Sequence, residues 1–309
     1  MSVRFTLRQL EYLVAVGQSG SVTLAAERMN VSAPSISTAL SQLEAELGLP
    51  LFIRKHTQGM TATPSGRDII REAMATLAAA RALSDLAEQF RGTVKGSLNL
   101  GCLLTFARIL VPQLRRSFMD LHPEVALHQT ESHQGALIKG LLDGALDVVL
   151  TYDLALPPEL TFIDLGTLPP FVTLPADHAL AQRETLSVTD LADYPMVLLD
   201  IPYSADYFLS LFEKAGIKPR VVERSGDMDV VRSLVANGFG YSISNFRPVT
   251  NYAADGRKLA FVPLSGSVQP IQIGLLYRKG ARSSLTIQAF VDHAKAELER
   301  LLPELILRP

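Results

Sequence analysis

SVTLAAERMNVSAPSISTALSQLEAEL, residues Ser21 to Leu47, reads as two short helices joined by a tight turn. Leu24, Ala25 and Met29 are the apolar positions of the first segment. Ile36, Leu40, Leu43 and Leu47 recur at intervals of four, three and four on one face of the second. Paired Ala25 and Ala26 let another helix cross closely, as a helix-turn-helix requires. Asn30 tolerates the left-handed backbone of a turn, Ser32 can cap the next helix, and Pro34 sits where no amide partner is lost. The outward face then carries Ser35, Thr38, Ala39, Ser41 and Gln42, small or polar groups that could lie in a major groove. Taken alone, the segment fits an amphipathic pair in an all-helical core equally well.

Upstream, Thr6 to Gln18 predicts a helix with Leu7, Leu10, Leu13, Val14 and Gly17 facing a core, stopped by Ser19-Gly20. Downstream, Gly48 ends the second helix of the pair. LPLFIRKHTQGMTAT, from Leu49 to Thr63, then alternates in short extended pieces about Gln58-Gly59. This pattern suggests a two-stranded wing carrying Arg54, Lys55 and His56 toward phosphate or a minor groove, or else a solvated charged turn.

Thr63-Pro64 is a helix start, and the alanine-rich run to Phe90 predicts one helix of about 27 residues, roughly 40 Å long. Ile70, Ala73, Met74, Leu77, Ala80, Leu83, Ala87 and Phe90 form a stripe that one helix cannot bury by itself. It calls for a partner helix from a second subunit, or for packing on the chain's own later domain.

RGTVKG, Arg91 to Gly96, marks the main boundary, after which strands and helices alternate. Strands are expected at 97–101, 125–131, 147–151 and 161–165, with helices at 105–121 and 134–143. A second set has strands at 171–174, 196–199, 220–224 and 240–243, and helices at 188–192, 203–215 and 227–237. Strands at 258–263 and 269–278 and a helix at 284–302 close the chain. This order implies βαβ units in two α/β subdomains, with a ligand cleft between them at the carboxyl ends of strands.

The chain has 309 residues and a net charge of −2, and its apolar fraction is 48%. That is enough for two or three cores and argues against indiscriminate nucleic-acid binding. In residues 1–63, Arg4, Arg8, Arg28, Arg54 and Lys55 stand against Glu11, Glu27, Glu44 and Glu46, so one copy would hold DNA weakly. No apolar run reaches a membrane span and MSVRFTLRQLEYL lacks the pattern of a signal peptide, so a soluble cytoplasmic protein without membrane contact is expected. Cys102 is the only cysteine, which excludes an intrachain disulfide and a cysteine-based metal site. Neither metal nor cofactor is expected, His128 and His133 offering only a weak pair.

The combination of Ala25-Ala26, Val31-Ser32, Leu43-Glu44, Leu47-Gly48, Leu51-Phe52, Arg54 and Thr63-Pro64-Ser65-Gly66 resembles the winged helix-turn-helix of LysR-type transcriptional regulators, from Leu7 to Ile69. LHPEV at 121–125, DVVL at 147–150 and VANGFGYSI at 235–243 are similar to pieces of that family's effector domain. The resemblance implies a DNA-binding domain at 1–63, a linker dimerisation helix at 64–91 and an effector domain at 92–309. The last would resemble type 2 periplasmic binding proteins, with subdomain I at about 97–165 and 266–302 and subdomain II at about 166–265. It further implies a homo-oligomer, a dimer through linker helices and commonly a tetramer, on double-stranded operator DNA. A small-molecule effector and contact with RNA polymerase belong to the same implication, and catalysis does not.

Where the family often has glutamine and arginine, this chain has Ala33 and Thr38. A bidentate base contact gives about 1–3 kcal/mol of discrimination, so base reading is assigned instead to Ser32, Ser35, Ser37, Thr38 and Gln42, with Arg54 and Lys55 from the wing. Shape and oligomer spacing would then carry more of the specificity. For the cleft, helix starts at Leu103-Leu104-Thr105, Ser132-His133-Gln134, Pro202-Tyr203-Ser204 and Asp227-Met228 suit a small carboxylate or a polar aromatic. Leu104, Tyr203 and Phe246 supply apolar wall. Tyr152-Asp153 at another strand end would repel an anion or anchor an amine. Thr105, Ser132 and Ser204 read equally as caps, Tyr203 as core, and Cys102 as buried and inert rather than redox-active. Regulation by protein contact alone is the alternative. An enzyme built on Asp147, Asp153, His133 and Asp227 lacks any accompanying nucleophile or phosphate loop.

Overall fold

The structure is a computed structural model that describes residues 4–55, 59–279, 281 and 284–306, with side chains at 54–55, 85–86, 88–91 and 304–306 outside the description. The chain divides at Arg91/Gly92 into two compact units, Leu142–Ala145 grouping with the first.

The first unit contains α1 (Leu7–Ser19), α2 (Val22–Met29), α3 (Ala33–Leu47), the antiparallel pair β1 (Phe52–Lys55) and β2 (Gly59–Ala62), and α4 (Pro64–Arg91). Thr6 closes a reciprocal cap with Gln9 at the start of α1. Asn30 is left-handed at the end of α2, and Ser32 caps α3 with proline in its first turn. Glu44 of α3 reaches across the turn and accepts from Leu51 N–H at 2.7 Å and Phe52 N–H at 3.3 Å, which fixes where the wing begins.

The buried core comprises Leu10, Leu13 and Val16 of α1, Ala25 and Ala26 of α2, and Ile36, Leu40 and Leu43 of α3. Two expected core positions are corrected: Leu7 and Leu24 are about half exposed, while Val16 is buried in addition and Ala25 and Ala26 are buried at the close helix crossing. An eight-residue α2 touches its neighbours through little more than one turn, and its two alanines fill that contact. The α4 stripe is also divided. Ile70, Ala73 and Leu77 enter this same core, whereas Leu83 is 71% exposed. The first half of the stripe thus needs neither a second subunit nor the later domain. Phe90 and the turn residues His56 and Gln58 lie outside the described side chains or residues.

The second unit has two lobes. Lobe I is a five-stranded sheet in the order β4-β3-β5-β12-β6, formed by Val125–Ser132, Gly96–Leu103, Val148–Tyr152, Ile271–Arg278 and Leu160–Leu168. β3 runs parallel to β4 and β5, while β12 returns antiparallel between β5 and β6. One face is covered by α5 (Leu104–Ile109), α6 (Val111–Leu121) and α10 (Leu285–Ile306) around Phe106, Phe118 and Phe290. The other face carries α7 (Gln134–Leu142), through Leu137 and Leu141. The single helix expected at 105–121 is two helices meeting at Leu110, because Pro112 begins a new first turn and cannot continue the old one.

In lobe II, β7 (Phe171–Pro175) lies between β10 (Ser242–Ser244) and β11 (Leu259–Pro263), antiparallel to both. β8 (Pro195–Leu199) pairs in parallel with β9 (Arg220–Ser225) and bridges to Tyr241. With α8 (Ser204–Glu213) and α9 (Met228–Ala236) these enclose a second core around Phe208, Phe212, Val231 and Val235. Among the described residues no helix is long and apolar enough to cross a membrane.

Candidate functional site

Two places on the chain could do chemistry with a partner. On α3, Ile36, Leu40 and Leu43 face the core, which turns Ser35, Thr38, Ser41 and Gln42 to solvent. Ser32 and Ser35 hydroxyls lie 2.7 Å apart, and Ser32 also accepts from Ser35 N–H. Gln42 accepts from Gln9 at 3.3 Å, so α1 steadies its side chain while leaving its N–H₂ outward. Thr38 is exposed and Ser37 half-buried. Arg54 and Lys55 are on β1, and their side chains lie outside the described set.

In the second unit a cavity of about 440 Å³ opens between the lobes, a size that suits a small molecule. The carboxyl ends of β3, β4, β5, β8, β9 and β10 all reach it, which is where open α/β sheets place ligands. Of the residues singled out in the sequence, the cavity brings together Leu104, Thr105, Ser132, His133, Tyr152, Pro202, Ser204 and Phe246. Tyr203 stands apart from this set. It takes a left-handed backbone (φ 69°) before α8 and is absent from the lining; its ring sits by Gly135 and His133 instead.

Capping explains little of this set. Neither α5 nor α8 has a side-chain cap, so the Thr105 and Ser204 hydroxyls are not used that way. At α7 it is His133 Nδ1, at 3.4 Å, that accepts from Ala136 N–H. Asp153 is withdrawn from the cavity question, since its carboxylate accepts from Gln272 N–H at 2.9 Å.

The floor is aromatic. Phe106 is fully buried and meets Tyr152 and Phe246 edge-on, with ring centres 4.9 and 5.5 Å away. Burial raises the Tyr152 hydroxyl well above the usual phenol range, which keeps it protonated. Tyr207 is likewise pushed up to about 12, chiefly by burial. Its hydroxyl donates to Gln269 C=O at 2.8 Å and accepts from Asn245 Nδ2 at 2.9 Å. Asn245 also donates to Leu168 C=O, so this pair ties together both chain crossings between the lobes.

Beside the main cavity is a small one of about 40 Å³ where Arg108 of α5 pairs with Asp227 and Asp229 at the start of α9. Buried Arg232 joins the cluster through Asp229 at 3.3 Å. Cys102 is fully buried and its thiol is pushed up to about 12 by burial, a protonated and unreactive form.

Residues 7–67 match the family model described as bacterial regulatory helix-turn-helix protein, lysR family, and residues 91–299 match that of the LysR substrate binding domain. The chain belongs to the LysR family of transcriptional regulators. Transcriptional activator protein LysR of Escherichia coli is 29% identical over 300 residues, covering 97% of this chain and 95% of that one. Crystalline HinK, a LysR family transcriptional regulator from Pseudomonas aeruginosa, is 31% identical at a TM-score of 0.64, covering 96% and 99% of the two chains. Full-length CbnR in complex with its target DNA shares the fold at a TM-score of 0.66 and 24% identity, over 94% and 99%.

Sequence reading of this LysR family chain missed Asp200, Tyr207, Ser244 and Asn245, all of which line the cavity, whereas Leu103, Gln134 and Met228 line it as the helix-start segments implied. Ser244 and Asn245 directly precede Phe246, which was singled out. Tyr207 lies one turn into α8 rather than at its start, so a search confined to helix N-termini passes over it.

Proposed function

We propose that this LysR family protein binds operator DNA as a homo-oligomer and changes its grip when a small molecule occupies the interlobe cavity. The observation that carries the reading is the solvent face of α3, polar from Ser35 to Gln42 beside a two-stranded wing. Ser32, Ser35, Ser37, Thr38 and Gln42 would meet base edges, with Arg54 and Lys55 on phosphate. Because all of those helix side chains except Gln42 are short, phosphate positioning and the spacing of paired copies supply much of the affinity. CbnR was solved in complex with its target DNA, which supports DNA as the partner. In the cavity, Leu104, Thr105, Ser132, His133, Tyr152, Ser204 and Phe246 would contact the ligand.

Selection of bound fragments from genomic DNA, followed by gel retardation, tests the DNA half of this reading. Discrete complexes should form with the selected duplexes and weaken steeply with salt. The double substitution Ser35→Glu with Thr38→Glu should abolish them by charge repulsion against phosphate while leaving the melting temperature near that of the parent. Failure to enrich any sequence, or full binding by the double variant, would sink the proposal.

A further inference from the structure

We infer that the ligand of the interlobe cavity is an uncharged or cationic molecule with an apolar ring body, and not a carboxylate or phosphate. The inference rests on the cavity being a ligand site and concerns only its chemistry.

The charge census decides it. Apart from His133, the charged side chains among the described lining residues are Glu131 and Asp200, both carboxylates. Asp200 has Arg224 at 3.4 Å, whereas Glu131 has no ion-pair partner among the described residues. The nearest guanidiniums toward α9 are Arg108 and Arg232, which line the small neighbouring cavity and are already matched by Asp227 and Asp229. An anion entering the main cavity would leave water and find no free cation there.

Helix N-termini offset this balance only at α5, a helix of six residues with neither a side-chain cap nor an acidic first turn. Asp227 occupies the first amides of α9, accepting from Asp229 N–H at 2.7 Å and Val230 N–H at 3.3 Å. α8 carries Asp206 in its first turn. Both positive helix ends are therefore answered by the chain's own carboxylates. At α7, Ala136 N–H is taken by the carbonyl and ring of His133.

What the cavity does offer is apolar wall, from Leu103, Leu154, Leu199, Ile201 and Ile271, and neutral hydrogen-bonding groups. Ser244 is only 3% exposed and brings a hydroxyl-bearing side chain to the lining. Tyr152 presents a second hydroxyl, kept protonated by its burial. A hydroxyl can donate or accept, so the pair suits an alcohol, carbonyl or amide on the ligand. Glu131 adds a place for an amine.

The test is a fragment set in which each ring scaffold occurs as carboxylate, carboxamide and aminomethyl compound, screened against the full chain by saturation-transfer NMR. Signals are assigned to the cavity by their loss in Leu104→Trp, a substitution at an exposed rim position, with circular dichroism verifying the fold. Carboxamides and amines should bind there roughly tenfold or more tighter than the matched carboxylates, about 1.4 kcal/mol per tenfold. Glu131→Gln should narrow that gap, by weakening the amines and admitting the carboxylates. Carboxylates that bind in the cavity as tightly as their amides overturn the inference while leaving the ligand site standing. If no class gives a signal that Leu104→Trp removes, the ligand site itself falls, and the inference with it.

Discussion

At Gly66 the chain has no room for one carbon atom. An added Cβ would lie 2.0 Å from the carbonyl oxygen of Leu51 and 2.9 Å from its carbon, and backbone cannot swing aside as a side chain can. The same turn is fixed by Thr63, whose hydroxyl accepts from Gly66 N–H at 2.8 Å and donates to Pro50 C=O at 2.9 Å. Gly48 is the contrast. Its φ is +69° but nothing lies within 4 Å of its missing Cβ, so alanine there costs only the left-handed conformation, about 1 kcal/mol. Gly66→Ala should cost about 3 kcal/mol, the upper end of overpacking. Thermal melts of the full chain followed by circular dichroism should therefore show a larger loss for Gly66→Ala than for Gly48→Ala. The reverse order would mean that the α4 start is looser than its geometry states.

At the scale of elements, the two chain crossings of the effector unit are held by Tyr207 of α8 and Asn245 after β10. Tyr207→Phe removes the bond to Gln269 C=O and leaves Asn245 Nδ2 with Leu168 alone, a loss of about 1–2 kcal/mol. Amide hydrogen exchange should accelerate at residues 166–171 and 266–271 and stay unchanged in the core of lobe I around Leu100; uniform exchange across the unit would mean that this pair does not hold the crossings. Such pairings join positions 62 and 38 apart in sequence, which is why periodicity could not show them. Periodicity did show the elements that flank them, because an apolar face must be buried wherever its partner comes from. Ile36, Leu40 and Leu43 are legible for that reason, and so are the strands that end at the cavity. Leu7 and Leu24 mislead because spacing gives the face of a helix and not how far its neighbours extend along it. The small carboxylate or polar aromatic expected for the cleft came from helix starts, which are readable in sequence as anion sites, whereas the carboxylates of Asp206 and Asp227 beside two of them count only once their positions are known.

For the whole molecule, the divided stripe of α4 matters most. Ile70, Ala73 and Leu77 are consumed by the first unit's own core, so a partner has only the later turns to hold. There Leu83 stands 71% exposed and Ala82 and Ala87 are exposed on a helix of 28 residues. Small side chains let two helices approach closely, and a leucine at such a seam gains about 1.5–3 kcal/mol from burial in each copy. In the proposed homo-oligomer a nearly neutral DNA-binding unit gains from the second copy, because two α3 helices double the phosphates met without adding charge to either chain. Leu83→Glu places a carboxylate in the seam from both sides and should shift sedimentation toward the monomer, with operator affinity falling at the same protein concentration. The fold of each unit should be untouched, since Leu83 touches neither core. An oligomer that survives Leu83→Glu at micromolar concentration would move the interface away from α4 and onto the effector unit.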